Sequence, residues 1–285
     1  MATGEAINRS YIDLPADVSN EILQKVQDGS KIMGLARQIA LPGRGAAINV
    51  ITSDPVAGWV GETDPKPVSN AEVGTKIMRA YKLAVIETFS NEFRRDASAL
   101  YDALIARLPK AFGEKFDNTV FFGSAPGSDF DVLSGVTAHD IATDAYAGLV
   151  AALGDVSTHG GIANGIILSP QAQGVLLGAT DGNQRPLFIN SVAEGAIPMV
   201  LGQRTEVTKA AYKSGTPDIV GFMGDWTQAL YGIVEGVKID FSADATLDLG
   251  SSKTINLFQQ NMFAVRAEIE IGFRADTSVF ASLSA

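Results

Sequence analysis

The clearest periodic segment lies near the end of the chain, where apolar positions alternate with polar or small ones from residue 263 to residue 274. Such alternation is typical of a β-strand with one buried and one solvent-facing side. The apolar positions are Phe263, Val265, Ala267, Ile269, Ile271 and Phe273. The reverse side carries Ala264, Arg266, Glu268, Glu270, Gly272 and Arg274. We therefore expect one long, half-buried strand with a charged outer face.

Residues 91–118 have a helical period instead. Apolar side chains recur there at every fourth position, at Leu100, Leu104, Leu108, Phe112 and Phe116. Pro109 lies inside this segment and should bend the helix, because it has no N–H to donate to the Ile105 carbonyl. A helix of ~26 residues would be ~40 Å long, which suits a spine more than a small domain. Its apolar stripe is the most economical cover for the long strand near the C-terminus.

The first ninety residues predict an arm followed by a hairpin. A short helix should start at Asp13-Leu14-Pro15 and close at Asp28-Gly29. From residue 47 to residue 89 the period is two, with a tip at Asp64-Pro65-Lys66-Pro67 that cannot lie in a central strand. The return strand, centred on residues 77–86, carries apolar and charged side chains on both faces. That pattern is expected of a strand covered by another chain.

The middle of the chain predicts compact α/β structure. We expect helices over residues 140–153 and 171–177 and a buried strand over residues 165–168. Further strands are expected over residues 197–207, 218–223 and 229–241. If the C-terminal strand packs on the long helix, this middle region becomes an insertion, and the chain forms two lobes.

Composition narrows the possible functions. The 285 residues include 22 Lys and Arg, 32 Asp and Glu and no Cys, for a net charge of −10. This acidity disfavours general nucleic-acid binding. The absence of Cys excludes disulfides and Cys-based zinc sites. Neither a membrane-spanning apolar run nor a signal peptide is present, so we expect synthesis and assembly in a cytoplasm.

Catalytic motifs are missing from the sequence. Only two histidines are present, and His159-Gly160-Gly161 resembles an oxyanion-hole loop without the Gly-x-Ser-x-Gly elbow that would accompany it. The acidic residues of one stretch could hold a hard cation, but a solvated loop and a helix cap also explain them. They are Asp129, Asp131, Asp140 and Asp144. We expect no catalytic residue, no cofactor and no metal.

Several short motifs occur along the chain in two groups. The first group is Trp59-Val60-Gly61-Glu62, Ser69, Tyr81-Lys82-Leu83-Ala84, Ser90-Asn91-Glu92, Asp96, Asp117 and Gly123. The second is Arg185-Pro186-Leu187, Leu201-Gly202, Gly224-Asp225-Trp226, Tyr231-Gly232-Ile233 and Phe263-Ala264-Val265-Arg266-Ala267-Glu268. Each motif is weak alone, but their order and spacing across residues 30–283 are specific. Together they resemble the pattern of tailed-bacteriophage major capsid proteins, the shell family whose fold encapsulins share.

The resemblance implies an α+β capsid fold with five parts. These are an N-terminal arm (1–42), an extended β-hairpin loop (43–90), a peripheral domain with the spine helix (91–138), an axial domain (139–252) and the C-terminal strands of the peripheral domain (253–285).

The resemblance also implies a function. Copies would form pentamers and hexamers of an icosahedral or prolate virion shell that encloses double-stranded DNA, without catalysis. Partners would be the chain itself, a portal and decoration proteins. Because we expect no room for an internal scaffold segment before Asp13, a separate scaffolding protein, or none, is implied. Two alternatives stay open: an encapsulin-type compartment, and a soluble α/β hydrolase acting through His159.

Nine residues are proposed to lie at subunit interfaces: Trp59, Glu62, Lys66, Ile77, Leu83, Arg266, Glu268, Glu270 and Arg274. For Trp59 the alternative is a core aromatic. For the four charges of the last strand the alternative is a solvated sheet face. Because the chain lacks Cys and no Lys–Asn–acid constellation is readable, we also expect a shell without covalent links between subunits.

Overall fold

The computed structural model describes residues 16–43, 45–51, 59–60, 66, 73–92, 97–181, 183–188, 199–250 and 253–285. The α-helices in these ranges are α1 (Ala16–Gly29), α2 (Lys31–Leu35), α3 (Ala97–Phe122), α4 (Ala145–Thr158) and α5 (Pro170–Gly178). The first strands are β1 (Arg37–Ala40), β2 (Ala46–Ile51), β3 (Val73–Met78), β4 (Tyr81–Ser90), β5 (Ala138–Asp140), β6 (Gly165–Leu168), β7 (Met199–Val200) and β8 (Gln203–Val207). The others are β9 (Ile219–Gly224), β10 (Ala229–Ile233), β11 (Lys238–Ser242), β12 (Thr246–Asp248), β13 (Thr254–Asn256), β14 (Met262–Ala275) and β15 (Phe280–Ser284).

The long C-terminal strand is the centre of a five-stranded sheet. β4 runs antiparallel along one edge of β14, from Tyr81 opposite Ile271 to Ser90 opposite Met262. Along the other edge, β11 and β10 follow one another, and β1 extends the sheet beside β10. The expectation of one long strand with a buried face is confirmed, since all six of its alternate apolar residues are buried.

The spine helix covers that buried face, as expected. Phe116 of α3 packs edge-on against Phe273 of β14, with ring centroids 6.0 Å apart, and against Phe130 at 6.4 Å. The helix has 26 residues and includes the buried Pro109. It begins at Ala97 and ends at Phe122, later than predicted at both ends. None of the described helices is long and apolar enough to cross a membrane.

A buried carboxylate fixes the N-terminal arm to the spine. Ser30 caps α2 by accepting from the Met33 N–H, and its hydroxyl donates to Asp117 of α3 at 2.5 Å. The Lys31 N–H donates to the other oxygen of that carboxylate at 3.0 Å. Burial raises the pKa of Asp117 to about 6, although these two hydrogen bonds act in the opposite direction. Burial therefore destabilises the ionised form of the Asp117 carboxylate in this contact.

A second sheet of six strands occupies the rest of the body. Its order is β5-β15-β9-β6-β8-β7, and α4 and α5 pack on it. Ile141, Leu149, Ile166, Leu176 and Leu283 lie in its core and are fully buried. The predicted strand at residues 165–168 is confirmed, and both predicted helices exist with shifted ends. Asp144 caps the start of α4 by accepting from the Ala147 N–H.

Three strands predicted as continuous are each two strands. The return strand of the hairpin breaks at Arg79-Ala80, directly after the fully buried Met78. In the segment predicted at 197–207, residues 197 and 198 lie outside the described residues, and the chain then turns at Leu201 and Gly202, whose φ angles are 50° and 76°. The segment 229–241 breaks at residues 234–237, and its two halves pair with successive stretches of β14.

Strand pairing crosses the expected domain limits. β10 and β11 fall in the range 139–252 assigned to the axial domain, yet they pair with β14. β15 falls in the range 253–285 assigned to the peripheral domain, yet it pairs with β5 and β9 in the second sheet. β4 falls in the range 43–90 assigned to the extended loop, yet it belongs to the central sheet. The five ranges themselves stay a prediction.

Candidate functional site

The hairpin of β2 and β3 carries the first group of predicted interface residues. Its strands pair antiparallel from Ala46 opposite Met78 to Ile51 opposite Val73 and form a two-stranded sheet of their own. Trp59 is fully exposed, Lys66 is exposed, and Ile77 is 44% exposed. Glu62 lies outside the described residues. In the isolated chain, therefore, Trp59 is not a core aromatic.

Leu83 does not share that surface. It lies on β4, opposite Ile269 of β14, and packs half-buried against the main core. Leu83 is therefore not part of the β2–β3 hairpin, and its place at a subunit interface stays a prediction. The chain turns between β3 and β4, so Ile77 and Leu83 fall in different sheets.

The charged face of β14 forms ion pairs within the chain. Arg266 pairs with Asp240 at 2.6 Å and with Glu268 at 3.3 Å. Lys82 on β4 lies 3.1 Å from Glu268 and 3.7 Å from Glu270. Hydrogen bonding and attraction to Glu268 raise the pKa of Lys82, and the bond to Asp240 raises that of Arg266. Ion pairing is thus observed, whereas contact with a neighbouring subunit stays a prediction.

Arg274, the fourth predicted charge, is nearly enclosed, with 12% of its side chain exposed. Its guanidinium pairs with Asp131 at 2.7 Å and Asp129 at 3.3 Å. A third N–H, on Nε, donates to the Ile77 carbonyl at 2.8 Å. These two aspartates belong to the acidic stretch considered above as a metal-cation site. Their carboxylates are instead paired with the guanidinium of Arg274. Asp140 and Asp144 cap turns at the start of α4, as the alternative predicted.

Sequence patterns missed a further set of exposed apolar side chains. On the second sheet and its helices they are Tyr146, Val150, Ile162, Leu187 and Met199. Near the hairpin of β12 and β13 they are Leu249 and Phe258, exposed by 61% and 77%. Tyr146 and Leu187 border an open depression of about 670 Å³ between α4 and α5. A signal existed for Phe258, since a lone Phe among Asn and Gln residues follows a short strand.

Both histidines contact one carboxylate. His139 lies 3.1 Å and His159 3.4 Å from the Asp155 carboxylate. His159 is the C-cap of α4, and Gly160 follows it with a φ of 80°. The interpretation of this motif as a plain turn is confirmed. Among the described residues, no group of three His, Cys, Asp or Glu side chains could hold a metal ion.

The sequence of this chain is similar to those of known capsid proteins over nearly its whole length. A sequence profile described as the phage capsid family matches residues 13–276. The probable major capsid protein gp17 of Mycobacterium phage D29 is 28% identical over 99% of this chain and 92% of its own length. The major capsid protein of Staphylococcus phage 80alpha is 26% identical over 94% of this chain and 83% of its own.

Solved structures agree in fold. A chain from Microbacterium phage Oxtober96 superposes with a TM-score of 0.72 at 21% identity, covering 99% of this chain and 95% of that one. The capsid of an empty GTA particle, computed with C5 symmetry, gives a TM-score of 0.65 at 15% identity, covering 90% of each chain. At these identities the likeness shows the α+β fold.

Proposed function

This chain belongs to the phage capsid family, and we propose that it is the major subunit of a virion shell in which copies of itself enclose a double-stranded DNA genome. The observation that carries the proposal is the extent of the family match. It runs from residue 13 to residue 276 and so includes the arm, the hairpin, the spine helix and β14.

The exposed apolar side chains support self-association. The side chain of Trp59 is fully exposed to solvent, and those of Ile162 and Phe258 are each more than three-quarters exposed. Apolar side chains that gather at exposed sites of a soluble subunit commonly mark surfaces that a partner covers. They occur on the hairpin, on the second sheet and near β12–β13, which suits a subunit with several neighbours.

The relatives favour a phage shell over an encapsulin, because they are named as major capsid proteins of phages. The α/β hydrolase hypothesis has lost its support, since His159 ends a helix in a turn. Shell proteins of this family act by assembly, and we propose that this chain likewise performs no catalysis.

The finer features of assembly belong to the same proposal. We infer pentamers and hexamers as the assembly units, with a portal, a scaffolding protein and decoration proteins as partners in the host cytoplasm. The net charge of −10 supports an inner surface that does not adhere to packed DNA. Trp59, Glu62, Lys66 and Ile77 are proposed to contact neighbours through the hairpin. Leu83 and the charges on β14 are proposed to lie beside such contacts.

Expression of the full chain in a bacterium tests the proposal. We expect closed shells in electron micrographs and elution far ahead of a 29.9 kDa protein in size-exclusion chromatography. Co-expression with the scaffolding gene of the same phage is the second arm, because some shells need that partner to close. A chain that stays monomeric in both arms, or shells that carry an enzyme cargo, would contradict the proposal.

A further inference from the structure

One guanidinium joins three parts of the chain that are far apart in sequence. Arg274, on the outer face of β14, donates from Nη1 to Asp131 and from Nη2 to Asp129, both in the loop after α3. From Nε it donates to the carbonyl of Ile77, in the hairpin strand β3. The sheet, the loop and the base of the hairpin therefore meet at a single side chain.

The loop and the hairpin are tied to the same place by further bonds. The Ala275 N–H donates to Asp131 at 3.1 Å, which holds that carboxylate against the end of β14. Arg79, just beyond β3, lies 3.3 Å from Asp129. Lys76, on the hairpin, donates to the Ala275 carbonyl at 3.3 Å. Arg79 and Arg274 thus share the carboxylate of Asp129, whereas Asp131 pairs with Arg274.

Close backbone packing makes this base rigid. A Cβ at Gly272 of β14 would lie 2.7 Å from the Arg79 carbonyl oxygen, so only glycine allows this approach. Gly45, at the start of the hairpin, has a φ of 88° and comes equally near the Met78 carbonyl. The Met78 side chain is fully buried with Leu41. The hairpin is therefore packed against the body at its base, although its described strands, β2 and β3, pair only with each other.

We propose that Arg274 is a positioning residue that sets the direction in which the β2–β3 hairpin leaves the subunit. Arg274 was expected to contact a neighbouring subunit, but three of its five N–H donors are hydrogen-bonded within the chain. Its planar fork satisfies acceptors on two carboxylates and one carbonyl, a geometry that a lysine cannot reproduce. The consequence for assembly rests on the proposed function, because a shell closes only if the hairpin meets its neighbour at the required angle.

Arg266 provides a matched control on the same face of the same strand. It also forms two ion pairs, with Asp240 and Glu268, but its partners lie on β11 and β14. Half of its side chain is exposed. Loss of Arg266 therefore removes an arginine and its charge from the sheet and leaves the hairpin contacts intact.

A distance measurement tests the positioning role directly. The chain has no Cys, so a pair of spin labels attaches only at the two cysteines that are introduced. These are Thr75→Cys on the hairpin and Lys110→Cys on the spine helix. Both positions are exposed. The distance distribution between the labels is measured by pulsed electron resonance on the full chain, with doubly labelled copies diluted in unlabelled ones. The background is varied between wild type, Arg274→Gln, Arg274→Lys and Arg266→Gln.

We expect a broadened and shifted distribution for Arg274→Gln, a partial change for Arg274→Lys and the wild-type distribution for Arg266→Gln. A wild-type distribution in Arg274→Gln, or equal broadening in Arg266→Gln, would overturn the proposal. If circular dichroism shows that Arg274→Gln does not fold, Asp129→Asn and Arg79→Gln must broaden the distribution. Should they leave it unchanged, the proposal fails.

Assembly is the second readout. We expect Arg274→Gln to give open or irregular particles where the wild-type chain gives closed shells. Closed shells from a variant with a broadened distribution would overturn the link to assembly. If the wild-type chain forms no shells, the proposed function fails, while the distance measurement still decides the role of Arg274.

Discussion

At the scale of single residues, the two tryptophans of the chain have opposite environments. Trp59 is fully exposed, whereas Trp226 is fully buried, donates from Nε1 to the Gly165 carbonyl at 3.0 Å and packs edge-on against Phe280. The same substitution at the two positions should therefore act on different processes.

Trp59→Ala should leave the unfolding of the isolated subunit unchanged and weaken the shell, since an aromatic anchor contributes ~2 kcal/mol or more per interface. The control, Trp226→Ala, should destabilise the subunit itself by about 3–5 kcal/mol. Thermal melts of subunits and of particles separate the two effects. If Trp59→Ala particles assemble and resist heat like wild type, Trp59 is not an anchor.

The carboxylate of Asp117 should make stability depend on pH. Because burial raises its pKa from 3.8 to about 6, folding favours the protonated form. The stabilising contribution is fully present below pH 3.8 and is lost as the pH rises through about 6. A rise of this size corresponds to about 2–3 kcal/mol.

Urea unfolding of wild type and Asp117→Asn between pH 4 and pH 7 measures this contribution. The asparagine loses a bond to the Lys31 N–H at every pH, so only the slope is informative. Wild type should lose stability relative to Asp117→Asn as the pH increases. Parallel profiles of the two proteins would show that Asp117 titrates near its ordinary pKa.

At the scale of elements, the packing of α3 on β14 should dominate subunit stability. Phe116 contacts both Phe130 and Phe273 and is 4% exposed. Phe116→Ala should lower the free energy of unfolding by about 3–5 kcal/mol, because it leaves a cavity between helix and sheet. The control is Lys110→Ala, on the exposed face of the same helix, where we expect a change within about 0.5 kcal/mol. Equal effects of both substitutions would contradict the role of the spine.

A second prediction about an element concerns the charged side chains on the outer face of β14. Glu270 keeps 40% of its side chain exposed and has Lys82 3.7 Å away, so it can still accept a cation from a neighbour. We expect Glu270 and Arg266 to lose exposure in the assembled particle. A particle structure that shows both side chains facing solvent would support the simpler interpretation of a solvated sheet face.

At the scale of the whole molecule, we expect a shell held without covalent links. The chain has no Cys, and several separate surfaces expose apolar side chains, so each subunit can touch several neighbours. A total contact of several thousand Å², roughly 2,000–5,000 Å² per subunit, would match obligate assemblies. Individual contacts can then stay weak enough to correct errors, although loss of one subunit breaks all of them.

Boiling purified particles in detergent before electrophoresis measures this directly. We expect one band near 29.9 kDa. A ladder of multiples would instead show covalent cross-links, and Lys66→Ala, at an exposed hairpin position, would be the first variant to examine.

Local pattern alone predicted the buried residues of β14 and of the described part of the α3 stripe. The alternation from Phe263 to Arg274 identified the buried and charged faces of β14, and the spacing of four residues through Leu108, Phe112 and Phe116 identified the side of α3 that covers it. Periodicity is a local property, because it follows from the rise and twist of a single strand or helix. The motifs that pointed to the family are local in the same way.

Strand pairing and the meeting of distant charges could be seen only in the folded chain. Local pattern could not show that residues 77–86 divide between a hairpin and the central sheet, or that β15 joins the second sheet. Nor could it show that Arg274 binds the Ile77 carbonyl, nearly two hundred residues earlier in the chain. The physical reason is that strand edges and charged side chains are satisfied by whichever partner the chain brings near, and that choice depends on the packing of the whole core.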